Sequence, residues 1–131
     1  MDTSVFFTYP TADKPTTGLS SVTAEDWDAL LGATEALRVH PGDVVLRAGE
    51  RDRALYLVLD GRVAGVSAPA MLGVVAFLDG LPQPETLRAE THGELARLSW
   101  DAFEALSARD ARLGRSILLG LARDLAARLR A

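Results

Sequence analysis

The residues best placed to do chemistry in this chain lie in the segment LGVVAFLDGLPQPETLRAE, residues 72–90. Small residues follow a predicted strand, a short apolar turn comes next, and prolines mark a bend before another strand. This outline is typical of a loop that holds a phosphate group through backbone N–H groups. Such a loop also favours a cation, yet the segment has none before Arg88 and carries Glu85 instead. The segment therefore predicts either a ligand pocket or a phosphate loop that has lost its charged residues.

Other kinds of chemistry find little support among the residue types. The chain has no cysteine, which excludes thiolate metal sites, disulfides and cysteine nucleophiles. His40 and His92 lie far apart in the sequence, each at a predicted turn, whereas metals need three or four converging ligands. Ser21 and Ser99 precede predicted helices, where helix capping is the simpler role. We therefore predict no metal site, no cofactor and no enzymatic activity.

Composition narrows the class of protein further. A chain of 131 residues with 48% apolar content is the size of one globular domain with its own core. The net charge of -4 argues against nucleic acid as a main partner, because binding phosphates needs a basic surface. No segment approaches the roughly 20 apolar residues that cross a bilayer. Position 2 is acidic and no basic segment follows, which is unlike a secretory signal. We predict a soluble, cytoplasmic protein that does not contact membranes.

The elements around the segment are short strands flanked by helices. Residues 23–32 predict a first helix, with Thr23 and Asp26 as a capping pair and an apolar face beyond them. From residue 35 to residue 99, short apolar or alternating runs, including residues 62–66 and 86–91, are separated by turn residues, with no helices between them. This spacing favours an antiparallel barrel or jelly-roll-like β-roll over βαβ units, so the fold class is mainly β with flanking helices.

Helices return at the C-terminus. Ser99 is a predicted cap for a short helix, and a long amphipathic helix begins near Ala108 or Asp110. The predicted organisation is an extended lead-in over residues 1–18 and one domain over residues 19–131. Within that domain we expect the β-roll at about 35–98 and the C-terminal helices at about 100–130. The lead-in carries an aromatic cluster that either pins it to the domain or docks on a partner: Phe6, Phe7 and Tyr9.

The order of these elements, with its glycine punctuation, resembles the cyclic nucleotide-binding domain family, as in catabolite activator proteins and the regulatory subunits of kinases. The residues that carry the resemblance are VHPGDVV at 39–45 with Gly49, LYLVLDGRV at 55–63, and the terminal helix at 118–129. The resemblance covers roughly residues 19–130. It implies a regulatory module with a β-roll of cupin-like shape.

The family's phosphate-binding cassette reads roughly F-G-E-x-A-L-L-x-x-x-P-R-x-A-T-V, and it aligns with residues 72–87 without gaps. By this resemblance, Val74 replaces the Glu that accepts a hydrogen bond from the ribose 2′-hydroxyl group. Gln83 replaces the Arg that pairs with the cyclic phosphate. Each such hydrogen bond to a charged group contributes roughly 1.5–3 kcal/mol, so losing both weakens binding by about two to four decades. The candidate ligand-contacting positions are Gly73, Val74, Val75, Ala76, Gln83, Pro84, Glu85 and Thr86.

Three functions stay open for this cassette. The first is a regulatory sensor that does not bind cyclic AMP or cyclic GMP tightly and responds to a different small-molecule effector. The second is a ligand-free protein-interaction or dimerisation domain, in which apolar side chains fill the pocket. The third is a cyclic nucleotide sensor that uses substitute residues, for which Arg88 is the nearest cation, although we expect Arg88 to be solvated. We also expect solvated charge at Arg47, Arg51 and Arg53.

The terminal helix indicates that the partner is a second copy of the chain. In the family the corresponding helix pairs with its copy in a second subunit, so the resemblance implies a homodimer. The candidate contact residues are Leu118, Leu121, Leu125 and Leu129. The winged helix-turn-helix of the DNA-reading relatives would follow this helix, but the sequence stops at Ala131, so we expect no DNA-binding module. The predicted function is a stand-alone regulatory module in which a ligand shifts the position of the last helix.

Overall fold

The computed structural model describes residues 23–131, so the predicted lead-in at 1–18, with Phe6, Phe7 and Tyr9, lies outside the described residues. The chain divides into two compact units, one over residues 34–100 and one that contains residues 23–33 and 101–131. In chain order the helices are α1 Ala24–Gly32, α2 Val74–Asp79, α3 Trp100–Arg109 and α4 Ala111–Arg130. In the described part of the chain, no helix has both the length and the apolar composition needed to cross a membrane.

The unit over residues 34–100 is a roll of short antiparallel strands. The strands are β1 Glu35–Val39, β2 Val44–Leu46, β3 Ala54–Asp60, β4 Arg62–Val63, β5 Val66–Ser67, β6 Ala70–Leu72, β7 Leu87–Arg88 and β8 Gly93–Ser99. One sheet has the order β1-β8-β3-β6, and two-stranded sheets pair β2 with β7 and β4 with β5. The prediction of a mainly β, antiparallel fold with flanking helices is confirmed.

The strands place their apolar residues on a common inner face. Val58 of β3 lies opposite Leu95 of β8, and Leu95 in turn lies opposite Leu37 of β1. Because side chains alternate along a strand, this register collects every second residue on one face of the sheet. The buried cluster there is Leu46, Ala54, Tyr56, Val58, Val63, Ala70, Leu72, Ala89 and Leu95. Each fully buried large apolar side chain stabilises the roll by about 1.5–3 kcal/mol.

Three details of the roll differ from the sequence prediction. Helix α2 lies between β6 and β7, where we expected no helix; its six residues are too few for a helical period to show. The predicted strand over residues 86–91 is paired only at Leu87 and Arg88, with a single bridge between Ala89 and Val63 beyond it. The predicted run over residues 62–66 is broken, because Ala64 and Gly65 have positive φ and form a turn between β4 and β5.

The helical unit is held by polar contacts at helix ends. The Thr23 hydroxyl accepts a hydrogen bond from the Asp26 N–H at 3.2 Å, as the capping prediction requires. The Asp26 carboxylate is buried and accepts two hydrogen bonds from Arg112 near the start of α4, at 2.7 and 3.2 Å. The Asp110 side chain caps α4 by accepting from the Leu113 N–H at 3.1 Å. These contacts link residues 23–32 to the first turn of α4 within the unit.

Candidate functional site

The cassette begins at Gly73, between β6 and α2. Gly73 has φ +80°, and a Cβ atom there would lie 2.8 Å from the Ala54 carbonyl oxygen, so only glycine fits. Val74 follows with 2% exposure, and Ala76 is equally enclosed at 1%. Val75 faces outward with 45% exposure. The position aligned with the ribose-binding Glu is therefore occupied by a buried aliphatic side chain that has no polar group.

Gln83 is the only one of the candidate ligand-contacting positions with a buried polar side chain in the described chain, at 3% exposure. Its Nε2 atom donates to the Asp52 carbonyl oxygen at 2.8 Å. Its backbone N–H donates to the Glu50 carbonyl oxygen at 2.9 Å, and its own carbonyl accepts from the Gly49 N–H at 2.8 Å. Gln83 thus fastens the second half of the cassette to the loop between β2 and β3.

The remaining candidate positions lie at the surface. Pro84, Glu85 and Thr86 are exposed. The Thr86 hydroxyl accepts a hydrogen bond from the Ala48 N–H at 3.0 Å, which adds to the contacts that Gln83 makes with the same loop. Arg88 is exposed, as predicted, and donates to the Gly42 carbonyl oxygen at 3.1 Å rather than to the cassette. Among the described residues, Arg88 therefore does not contact the cassette as a substitute cation.

Arg53 is a cassette contact that the sequence reasoning missed, because we expected it to be solvated. Its Nε and Nη2 atoms donate to the carbonyl oxygens of Phe77 and Leu78 at 2.9 and 3.1 Å, in the last turn of α2. A cation is favourable there, because the carbonyl groups at a helix C-terminus carry partial negative charge. The guanidinium group also lies 3.6 Å from the ring centroid of Trp100, whose ring meets Phe77 edge-on at 5.2 Å. We call Arg53, Phe77 and Trp100 the arginine clamp.

A second polar network lies on the inner face of the roll. The Arg97 guanidinium donates to Asp52 at 2.7 Å and to the Tyr56 hydroxyl at 3.1 Å, and Tyr56 donates to Asp52. Burial, reinforced by the hydrogen bond to Asp52, raises the pKa of Tyr56 to about 12. Burial lowers the pKa of Arg97, but its bonds to Asp52 and Tyr56 outweigh this and raise it. Strand alternation, which puts Arg97 on the same face as Leu95, was the available signal in the sequence.

His40 and His92 also come together, although 52 positions separate them. Their ring centroids are 5.1 Å apart in an edge-on arrangement, and His40 Nδ1 lies 3.5 Å from an Asp43 carboxylate oxygen. The sequence separation hid this contact, because the register of β1 with β8 brings the two turns to one end of the sheet. Within residues 23–131, no group of three or more histidines and carboxylates is arranged to hold a metal ion.

Comparison with known proteins identifies the family. The family model for the cyclic nucleotide-binding domain matches residues 36–110, more than half of the chain. The chain belongs to the cyclic nucleotide-binding domain family. The match spans β1 through α3 and includes the whole cassette, so the resemblance drawn from VHPGDVV and LYLVLDGRV is confirmed.

Several crystal structures share the fold of this cyclic nucleotide-binding domain. A cyclic nucleotide-binding domain from Methylobacillus flagellatus KT is 25% identical with a TM-score of 0.78, over 86% of this chain and 75% of that one. The Thermus thermophilus catabolite activator protein is 24% identical with a TM-score of 0.76, over 89% of this chain but only 59% of that one. The N-terminal domain of a Streptomyces coelicolor A3(2) transcriptional regulator is 21% identical with a TM-score of 0.72, over 88% and 89%. No curated protein sequence matches the chain.

Proposed function

We propose that this cyclic nucleotide-binding domain is a non-enzymatic regulatory module whose cassette does not bind cyclic AMP or cyclic GMP tightly. The observation that carries the proposal is the position of Gln83. Its amide nitrogen donates to the Asp52 carbonyl oxygen at 2.8 Å, and its side chain is 3% exposed. A phosphate would have to compete for a neutral donor that is already bonded inside the protein, and breaking that bond would leave the Asp52 carbonyl oxygen with only its bond from the Ala54 N–H.

The environment of Val74 supports the same proposal. Its side chain has 2% exposure and no hydrogen-bond acceptor, so a ribose hydroxyl group placed beside it would be buried without a partner. The enclosed side chains of Ala76 and Phe77, at 1% and 0% exposure, also favour the filled-pocket interpretation of the cassette.

The proposal is tested by calorimetric titration of the full chain with cyclic AMP and with cyclic GMP, up to millimolar concentrations. We expect no saturable heat below about 1 mM, because the two lost hydrogen bonds to charged groups correspond to about two to four decades in affinity. Saturable binding of either nucleotide in the micromolar range would overturn the proposal and would assign substitute residues to the site.

A pair of variants tests whether Val74 and Gln83 are responsible for the weak binding of cyclic nucleotides. The double variant Val74→Glu, Gln83→Arg restores the family's charged groups and should gain affinity by at least about tenfold. The control is Ala108→Glu, Glu104→Arg, which introduces the same residue types at exposed positions outside the cassette and should gain nothing. Circular dichroism verifies that each variant is folded, since Val74 and Gln83 are buried.

A second function, dimerisation, follows from apolar side chains on α4. Leu118, Leu119 and Leu129 are 38%, 48% and 87% exposed, whereas Leu121 is fully buried within the chain and Leu125 is half-buried. Among the predicted contact residues, Leu118 and Leu129 are therefore the ones available to a second copy. We infer a homodimer through α4. In this proposal the cassette stabilises the fold, and the exposed side chains of α4 contact the second copy. A cytoplasmic location stays a prediction.

A further inference from the structure

The side chains of α4 that are exposed to solvent include arginines but no carboxylate. Three of these arginines, Arg115, Arg123 and Arg130, make no hydrogen bond or ion pair with any of residues 23–131. They follow one another at intervals of eight and seven residues, so all three lie on one side of the helix, about 10–12 Å apart along its axis. Three cations in a row therefore face solvent without a partner from the described chain.

The carboxylates that pair with α4 do so through its other two arginines. Asp124, the only acid in the sequence of α4, is buried and lies 2.9 Å from Arg128. Asp26 and Asp110 both pair with Arg112 near the start of the helix, at 2.7 and 3.7 Å. The exposed side of α4 thus keeps a positive excess, although the whole chain has a net charge of -4.

Apolar side chains lie between the three arginines. Leu119 is 48% exposed and lies four residues from both Arg115 and Arg123, and Ala126 is exposed between Arg123 and Arg130. We call these five residues, Arg115, Leu119, Arg123, Ala126 and Arg130, the arginine stripe. The stripe offers cations and an apolar contact on one surface. A helix with acidic side chains about two turns apart and leucine-type side chains between them would match it.

Size and charge favour a short acidic protein segment over a larger polyanion. Nucleic acids and anionic membranes also contact the surface beyond the stripe, and the net charge of -4 opposes both. The stripe has a single large apolar side chain, Leu119, which is too little to insert into a bilayer. A short segment is affected only by nearby charges, because charges are screened beyond about 8–10 Å.

We infer that the arginine stripe is a docking surface for an acidic amphipathic helix of another protein. The carboxylates of that helix would pair with the three arginines, and its apolar side chains would pack on Leu119 and Ala126. Leu118 and Leu129, which we infer to contact a second copy, lie outside the stripe, so docking does not require the homodimer. This contact would carry the output of the regulatory module to another protein.

The experiment uses two peptides that share their leucines and differ in charge. The first is a helical peptide of about 20 residues composed of Glu and Leu, and the second has Gln in place of every Glu. Calorimetric titration of the full chain with the Glu–Leu peptide should give a dissociation constant of about 100 µM or lower. The Gln–Leu peptide should bind at least about tenfold more weakly, because it forms no ion pairs. Absence of saturable binding of the Glu–Leu peptide below about 1 mM, or equal affinity for both peptides, overturns the proposal.

Matched variants locate the docking surface. The test variant removes the three cations of the stripe: Arg115→Gln, Arg123→Gln and Arg130→Gln. It should bind the Glu–Leu peptide at least about fivefold more weakly than the parent, because three ion pairs are lost. The control removes the same charge from exposed positions of the other unit: Arg38→Gln, Arg47→Gln and Arg51→Gln. It should stay within about twofold of the parent. Equal losses in the two variants would show that binding follows net charge alone and would overturn the proposal.

Two further measurements separate this proposal from its alternatives. Single-stranded DNA and vesicles that contain phosphatidylserine are titrated under the same conditions. Tighter binding of either one than of the Glu–Leu peptide would assign the stripe to that polyanion and overturn the proposal. Sedimentation of the test variant should give the same mass as the parent, because Leu118 and Leu129 are unchanged. A loss of mass would assign the stripe to the contact between two copies instead. Cyclic nucleotides test only the cassette, so the outcomes of the two proposals are distinguishable.

Discussion

Gln83 makes structural contacts at a position where the family's cassette has an Arg. Its amide nitrogen donates to the Asp52 carbonyl oxygen in the neighbouring loop. Together with the two backbone bonds at Glu50 and Gly49, this contact closes the loop between β2 and β3 over the cassette. We therefore expect Gln83 to stabilise the roll.

This role predicts a stability change without any ligand. Gln83→Met keeps the shape of the side chain and removes its donor, so the Asp52 carbonyl oxygen loses a partner inside the protein. We expect the free energy of unfolding to fall by about 1–2 kcal/mol, measured by urea denaturation. Glu85→Gln, an exposed change two residues away, is the control and should have almost no effect. A Gln83→Met variant as stable as the parent would show that the bond contributes nothing.

Contacts between side chains could be predicted from the sequence where the two residues lie close together in the chain. The Thr23 cap joins residues three positions apart, so helix geometry alone places them together. The bond between Gln83 and Asp52 spans 31 positions, and that between Arg97 and Asp52 spans 45. Such contacts depend on strand register and loop path, which a single sequence does not determine.

At the scale of elements, the helical unit contains two buried aspartates, Asp26 and Asp124, whose pKa values are shifted in opposite directions. The hydrogen bonds from Arg112 hold the pKa of Asp26 below its ordinary value of 3.8. Burial raises the pKa of Asp124 above that value, and Arg128, 2.9 Å away, only partly offsets this. The folded state therefore favours the charged form of Asp26 and the protonated form of Asp124.

Because the two pKa shifts are opposite, Asp26 and Asp124 should affect stability oppositely as the pH changes. Asp26 contributes stability at neutral pH, and that contribution is lost as the pH falls through its lowered pKa. Asp26→Asn should therefore lower the melting temperature at pH 7 by about 3–6 °C, with the difference from the parent shrinking toward about pH 2. Asp124 contributes stability only at low pH, and loses it as the pH rises from 3.8 through the raised pKa. Asp124→Asn should leave the melting temperature at pH 7 unchanged or higher.

Differential scanning calorimetry from about pH 2 to pH 8 measures both variants against the parent. Each variant serves as the other's control, because both remove one carboxylate charge from the same unit. Similar losses of stability at pH 7 in Asp26→Asn and Asp124→Asn would contradict the opposite directions of the two pKa shifts.

Element boundaries were predictable where end signals are strong. Helix α4 begins after Asp110, one of the two predicted starts, and α1 occupies the residues that follow Thr23. Helix α2 was not predicted, because it is too short to show a period and its ends are set by Gly73 and Gly80 in left-handed conformations. Local signals thus define long helices well, whereas the cassette helix depends on its surroundings, including the arginine clamp.

At the scale of the whole molecule, the order of elements carried the fold prediction. A helix, a series of short antiparallel strands and two terminal helices were visible in the sequence, and they sufficed to indicate the family. The function does not follow from that order, because it depends on a few positions in the cassette and on which apolar side chains stay exposed.

The exposed leucines of α4 make the dimer testable. The parent protein should sediment at twice the mass of one chain, and Leu118→Glu with Leu119→Glu should shift it toward the monomer by at least about tenfold in dissociation constant. Ala105→Glu with Ala108→Glu adds the same charges at exposed positions of α3 and should leave the dimer intact. A monomeric parent at about 100 µM would contradict the proposed homodimer.

The arginine clamp also gives the molecule an optical property. Trp100 is one of two tryptophans in the chain, and its indole ring lies directly beneath the Arg53 guanidinium group. A cation at 3.6 Å from the indole makes the emission of Trp100 depend on where Arg53 lies, and Arg53 is bonded to the last turn of α2. Trp27, at 2% exposure, belongs to the other unit. A Trp27→Phe protein would therefore carry a single tryptophan, and we expect its emission to report movement of the cassette helix without any added label.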